Sequence, residues 1–375
     1  MSDFPLIQWS EADTAHSARW RSEAGVAPPK RVVIADDTTT ADNAYKLACE
    51  GTALLYRGDF QNARMLLQAM ARRADRKKAK QAQSPTEAFN LHRMAQAQRA
   101  RTLGMLLIPF DAGHLIPLRR APEVHDACLE AYGAADEGYV TSLRELLGLI
   151  GAHEWRKKGV EIPALGSRIH PYYGVFSPVR GEYVDLVARI DLPTGAEALA
   201  FDIGTGTGVI AAMLAKRGVK RIVATETDPR AIACANENMQ RLGFANRVEV
   251  VKADLFPQGR APLIVCNPPW VPAKPSSPIE HAVYDPDSRM LKGFLAGLTA
   301  HLEPKGEGWL ILSDLAEHLG LRTREQLTEW IEKAGLKVIG REIIRPRHGK
   351  ASDADDPLHA ARAQEVTCLW RLAPV

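Results

Sequence analysis

The tetrapeptide Asn267-Pro268-Pro269-Trp270 joins residue types that can hold a planar –NH2 group. Two consecutive prolines remove two backbone N–H donors, and each pushes the residue before it into extended backbone. The main chain there offers carbonyl acceptors in a stiff arc beside the Asn267 amide, and Trp270 adds a flat apolar face. Two acceptors can take the two N–H bonds while the ring covers the π face. Asn-Pro also opens ordinary turns, so the tetrapeptide alone leaves that plainer reading open. It follows Leu263-Ile264-Val265-Cys266, an apolar run that predicts a buried strand.

A second chemical element lies upstream. Ala198 to Ile203 predicts a short strand, Gly204-Thr205-Gly206-Thr207-Gly208 a glycine loop, and Val209 to Ala215 an apolar helix. In that context glycines let the backbone turn tightly and approach a ligand closely. Val209 occupies the third-glycine position of the GxGxxG dinucleotide pattern, which argues against a pyrophosphate. Arg221 to Glu226 predicts a second strand, with Glu226 at the distance where an acid reaches a ribose diol. Val248 to Ala253 predicts a third, ending at Asp254. Open α/β sheets bind ligands at such strand ends.

From about residue 170 onward the chain resembles class I S-adenosylmethionine-dependent methyltransferases of the small-domain group with an (Asn/Asp)-Pro-Pro-aromatic motif. That group includes glutamine methyltransferases of release factors and of ribosomal protein L3, and adenine-N6 and guanine-N2 RNA methyltransferases. The matching residues are Asp202 to Gly208, Glu226, Asp254 and Asn267 to Trp270, with Gly174 to Pro178 similar to the element before the first strand. The resemblance implies S-adenosyl-L-methionine as cofactor. Asp202, Gly204, Thr205, Gly206 and Gly208 would line its methionine part, Glu226 its ribose and Asp254 its adenine edge. Asn267, Pro268 and Trp270 would form the catalytic set, Asn267 and Pro268 holding the nucleophilic nitrogen and Asn267 also touching the cofactor, with Pro269 and Trp270 against the substrate. It also implies an α/β, Rossmann-like sheet of order 3-2-1-4-5-7-6 with the seventh strand antiparallel. Trp270 departs from the commoner Tyr or Phe.

The chain has 375 residues, 46% hydrophobic and 25% charged, ordinary values for globular proteins and enough for two cores. It carries no apolar run of transmembrane length and no signal-peptide pattern at Met1 to Pro5. Five scattered cysteines without a CxxC pair suit a reducing, cytoplasmic setting and no metal site. Net charge is only +3, yet ten Lys or Arg fall between Arg64 and Arg101 against two acids. Arg72, Arg73, Arg76 and Lys77 read either as a helix end favoured by the helix dipole or as a phosphate-binding patch.

The expected division is a mainly helical, basic substrate-recognition domain over 1–155, a linker or hairpin over 156–178, and the catalytic domain over 179–375. Residues 1–30 read as irregular with Trp9 and Trp20 as anchors, Ala53-Leu54-Leu55 as part of an amphipathic helix, and Met105 to Phe110 as a buried segment. No helix is expected between the last two strands, which should pair antiparallel. The loops at 272–284 and 345–364 are long enough to cover a substrate. His348 reads as a general base or as a solvated loop residue.

The expected activity is N-methylation of a planar exocyclic amine or amide of a macromolecule. An rRNA or tRNA base is the first reading, and a protein glutamine of a release factor or ribosomal protein the alternative. Partners would be RNA or a ribosome or translation-factor substrate, with no membrane. A nicotinamide-dependent oxidoreductase and a catalytically silent RNA-binding scaffold are the readings from other classes.

Overall fold

The computed structural model describes residues 4–76, 82–178, 181–275, 278–346, 353 and 356–375. It divides into two compact units, Met1–Ala82 with Asn90–Glu154, and Gln83–Phe89 with Trp155–Val375. Among the described residues no helix is long and apolar enough to cross a membrane.

The first unit contains β1 (Leu6–Glu11), β2 (Thr14–Trp20), β3 (Arg31–Ala35), α1 (Ala41–Cys49), β4 (Thr52–Tyr56), α2 (Phe60–Asp75), most of α3 (Pro85–Leu103), β5 (Leu106–Phe110), α4 (His125–Tyr132), β6 (Tyr139–Ser142) and most of α5 (Leu143–Lys158). Its strands form one six-stranded sheet, β1-β2-β6-β5-β4-β3. This corrects the expectation of a mainly helical domain: the helices accompany a mixed sheet. The "irregular" start is a hairpin whose turn residues, Ala12 and Asp13, both have positive φ, the geometry of a two-residue hairpin turn. Trp20 is buried and its indole N–H donates to the Val26 carbonyl at 2.6 Å. Ala53-Leu54-Leu55 lies in β4, buried throughout, not in a helix. A short, wholly apolar run carries no periodicity to separate the two. Met105 to Phe110 supplies β5, also buried. Ile7, Trp20, Ala53, Leu55, Leu107 and Val140 form a core on one sheet face, where β1 lies against β3.

The second unit opens with a hairpin, β7 (Val160–Ile162) and β8 (Ser167–Ile169). There follow α6 (Glu182–Arg189), β9 (Leu199–Ile203), α7 (Val209–Lys216), β10 (Arg221–Glu226), α8 (Pro229–Leu242), β11 (Val248–Lys252), β12 (Ala261–Cys266), α9 (Arg289–His301), β13 (Leu302–Ser313), α10 (Leu315–His318), α11 (Arg324–Lys333), β14 (Leu336–Ile344), α12 (His359–Arg362) and β15 (Thr367–Pro374). The sheet order is β11-β10-β9-β12-β13-β15-β14, which is 3-2-1-4-5-7-6 counted within the unit. β15 is antiparallel to both neighbours. The one-turn α12 sits between the last two strands, where no helix was expected.

Local signals set these boundaries. Asp228 caps α8 through the Arg230 amide at 2.9 Å, Pro229 starts the helix, and Gly243 ends it in the left-handed conformation. Thr323 and Gln326 close a capping box on α11. The strands β9, β12 and β13 alternate buried side chains between two cores. One packs under α6 and α7 and the other under α9 and α11. A sheet covered on both faces leaves its strand ends as the place for chemistry.

Candidate active site

Strand register brings the motif and the glycine loop to one edge. Ile203 pairs with Thr225 on one side and Cys266 on the other. The next residues, Gly204, Glu226 and Asn267, therefore leave three adjacent strands at one level. The loop is pinned there: the amides of Gly204 and Thr205 both donate to the Thr225 carbonyl, at 3.0 and 2.9 Å. Buried Asn238 donates to the Thr207 carbonyl at 3.0 Å and accepts from the His170 amide at 2.9 Å. Gly204 and Gly206 hold φ of 71° and 56°. A Cβ on Gly204 would collide with Met290, whereas one on Gly206 would meet open space.

Asp202 is fully buried. Its Oδ2 accepts from the Thr205 hydroxyl at 2.6 Å and the Ala211 amide at 3.1 Å. Its Oδ1 has no hydrogen-bond partner among the described residues. Burial outweighs the two bonds and raises its pKa to about 7. Half-buried Glu226 accepts from the Gly206 amide at 3.1 Å and the Thr227 amide at 2.8 Å. Asp254 is exposed and accepts from Arg289 at 2.5 Å. An open glycine, an acid at the ribose distance and an orphaned buried carboxylate oxygen fit a ligand bearing a diol and a cationic end.

On the motif side, Pro268 is buried, and Asn267, Pro269 and Trp270 are half-buried. The Trp270 indole N–H donates to Asn267 Oδ1 at 2.8 Å. Trp270 is therefore tied to Asn267 in the plane of its ring, and one of the two lone pairs of Oδ1 is already engaged. Described residues of both long loops pack here. Phe89, Val271, Leu319, Leu358 and Ala361 form a buried cluster with Trp270 and Tyr284 packed against it. Cys266, beside the motif, is a fully buried apolar neighbour whose thiol pKa burial raises well above the usual value.

Three residues escaped the sequence reading. Asp285 is buried and accepts from the amides of Met290 at 3.0 Å and Leu291 at 3.1 Å, fixing the start of α9. Arg289 and Met290, at that start, face Asp254 and Gly204. An acid followed by Pro286 just ahead of an apolar helix was the available signal.

The basic segment is only partly free. Arg73 donates to Asp42 at 2.7 Å and Arg99 to Asp75 at 2.7 Å. Arg72 and Arg76 are exposed. Lys77 and His348 lie outside the described residues.

Comparison with known proteins decides the family. The methyltransferase small domain matches residues 168–334. A tRNA1(Val) (adenine(37)-N6)-methyltransferase of Pedobacter heparinus is 35% identical over 175 residues, 45% of this chain and 67% of the relative. This chain belongs to the methyltransferase small domain family. The release factor glutamine methyltransferase of Cereibacter sphaeroides is 39% identical over 115 residues, 30% of this chain. The match spans 37% of that relative's length, and 22% of a ribosomal protein L11 methyltransferase from Pelotomaculum thermopropionicum. A methyltransferase from Pyrococcus furiosus of known structure aligns at TM-score 0.40 and 19% identity, over 60% of this chain and 98% of that one. Within the matched segment lie the glycine loop, Glu226, Asp254 and the Asn-Pro-Pro-Trp motif of this small-domain methyltransferase.

Proposed function

We infer that this small-domain methyltransferase uses S-adenosylmethionine to methylate an exocyclic amine of an RNA base. The reading rests on one observation: Asn267 leaves β12 level with the glycine loop and Glu226, on adjacent strands. Asp202 and the glycines would hold the methionine part, Glu226 the ribose and Asp254 the adenine edge. When bound, S-adenosylmethionine supplies a methyl already activated by its sulfonium, so transfer forms one N–C bond, breaks one S–C bond and releases one proton to water. The protein then has chiefly to orient the amine. Asn267 Oδ1 and the Pro268 carbonyl accept its two N–H bonds. The apolar cluster around Trp270 limits water at the acceptor.

RNA is favoured over a protein glutamine by the relative with the fuller overlap, the tRNA adenine-N6 enzyme at 67% of its length. Exposed Arg72 and Arg76 suit phosphates. The cytoplasm suits five unpaired cysteines. Glutamine methylation is the second reading, supported by the 39% identity to the release-factor enzyme.

The test is transfer of labelled methyl to RNA and to ribosomal and translation-factor proteins, each taken from cells lacking the gene. Label in an N-methylated nucleoside is expected. Asn267→Ala should cut the rate by about a hundredfold or more through lost alignment, with cofactor affinity retained. Label confined to protein glutamine overturns the RNA assignment, and full activity of Asn267→Ala overturns the amine-holding role.

A further inference from the structure

We propose that Trp270 is a positioning residue that sets the amide orientation of Asn267 through its indole N–H. The inference rests on the amine-transfer reading above and assigns a role within that site.

The indole N–H reaches Asn267 Oδ1 at 2.8 Å. The ring is wedged at the strand edge, packed against the cores of both sheet faces and against the cluster built by Phe89, Val271 and Leu358. A ring held on three sides has one place for its N–H. That group is a donor only, so it pairs with Oδ1 and never with Nδ2. It therefore selects one of the two flips of the Asn267 carboxamide. In the other flip Nδ2 would point its hydrogens at the incoming amine, donor against donor. In the selected flip Oδ1 keeps its second lone pair for the amine, since a carbonyl oxygen has two. A Phe at this place has no donor, and a Tyr hydroxyl projects from the far end of its ring. The bracing bond is specific to the Trp of this chain.

A carboxylate has two equivalent oxygens and no flip to select, which separates bracing from stacking. The experiment compares wild type, Trp270→Phe, Asn267→Asp and the double variant, with RNA from cells lacking the gene as acceptor. Phe keeps an aromatic face and loses only the N–H. With Asn267 present, Trp270→Phe should lower kcat by about tenfold and leave KM for RNA within about twofold, the cost of a misaligned nucleophile. In the Asn267→Asp background the same change should lower kcat by at most about twofold, a coupling that a purely structural role would not produce. A rise in KM of equal size in both backgrounds, or an unaffected kcat, overturns the bracing role.

The second readout needs no turnover. The Trp270 indole resonance, assigned by its loss in Trp270→Phe, should move in Asn267→Leu in the cofactor-free protein. An unmoved resonance overturns the contact itself. If the resonance moves as expected but neither RNA nor protein accepts methyl, the amine-transfer reading fails, and the positioning role with it.

Discussion

Two carboxylates sit at the ends of parallel strands, one in each unit, and their surroundings drive them in opposite directions. Asp37, just past β3, accepts from the Tyr56 hydroxyl at 2.8 Å, the Asp59 amide at 2.9 Å and Arg119 at 3.0 Å. Those bonds, the Asp59 amide foremost, hold its pKa down at about 2. Asp202, on β9, has one engaged oxygen and one without a partner among the described residues, and burial holds its pKa up at about 7. The first unit closes its loops with its acids. Asp59 both caps α2 and pairs with Arg120 at 2.6 Å, and Asp42 pairs with Arg73. The second unit leaves an acid incomplete beside a glycine that faces open space. A strand-end acid becomes a candidate for a ligand site through its unfinished bonds, not merely because of where it stands.

The largest effect that can break this contrast is Asp202→Asn. Asparagine keeps an acceptor for Thr205 and the Ala211 amide and removes the charge. If the acid meets the cationic end of the cofactor, S-adenosylmethionine affinity at pH 8 should fall by about tenfold to a hundredfold, the range of a hydrogen bond to a charged group. The melting temperature of the cofactor-free protein should hold or rise, because a buried charge has been removed. Titration calorimetry and thermal unfolding read both, and an unchanged affinity would erase the distinction from Asp37.

The wild-type protein should show the same effect through pH. A pKa raised from 3.8 to about 7 means that the native state holds this proton more tightly than the unfolded chain does. The stability contributed is full below about 3.8 and is lost as pH rises through about 7. Cofactor affinity should run the other way, rising as Asp202 ionises and levelling off above about 7, with proton release on binding. Calorimetry in buffers of different ionisation enthalpy measures that proton. A flat affinity between pH 6 and 8 would leave Asp202 a structural acid.

How far such differences can be read before folding depends on how local they are. The second unit declares itself because the first three strands of its large sheet each run into a glycine or an acid, as in Leu199 to Gly204 and Arg221 to Glu226. The first unit does not, because Thr52 to Tyr56 is five residues long and buried throughout, without an alternating face. The charge run from Arg64 to Arg101 was legible, but its partners were not: Asp42 lies thirty-one residues from Arg73. Likewise, Asp254 and Asn267 could be named from their strand ends. Their engagement by Arg289 and by the Trp270 indole depends on the path of the intervening chain.

A smaller effect sharpens the other half of the contrast. Asp37→Asn keeps acceptor capacity and loses the attraction to Arg119. The melting temperature at pH 7 should fall by a few degrees while cofactor affinity is unchanged. A carboxylate whose pKa is lowered from 3.8 to about 2 contributes stability above about 3.8 that is lost as pH falls through about 2. The gap between variant and wild type should therefore narrow below about pH 4 and close near pH 2 in a series of thermal unfolding curves. A gap that persists unchanged in acid would show that Asp37 acts through packing rather than charge.

The smallest expected effect concerns the arginines of α2 and separates those already paired from those left to solvent. Arg73 is held by Asp42 at 2.7 Å and by the Ala69 carbonyl at 3.0 Å, whereas Arg72 and Arg76 are exposed. If RNA phosphates are gripped here, the exposed pair should carry the contacts. Each single-strand contact contributes about 0.7 log units of affinity per log unit of salt, so replacing Arg72 and Arg76 by Ser should flatten the salt slope by about 1.4. Arg73→Ser should change the slope far less and lower thermal stability slightly, because its guanidinium is already committed within the fold. Filter binding of RNA across a salt series, with the same RNA for all variants, gives the slopes directly. Equal slopes for the two replacements would mean that pairing with Asp42 does not withhold Arg73 from RNA. The division between charges that close the fold and charges left for ligands would then fail in the first unit.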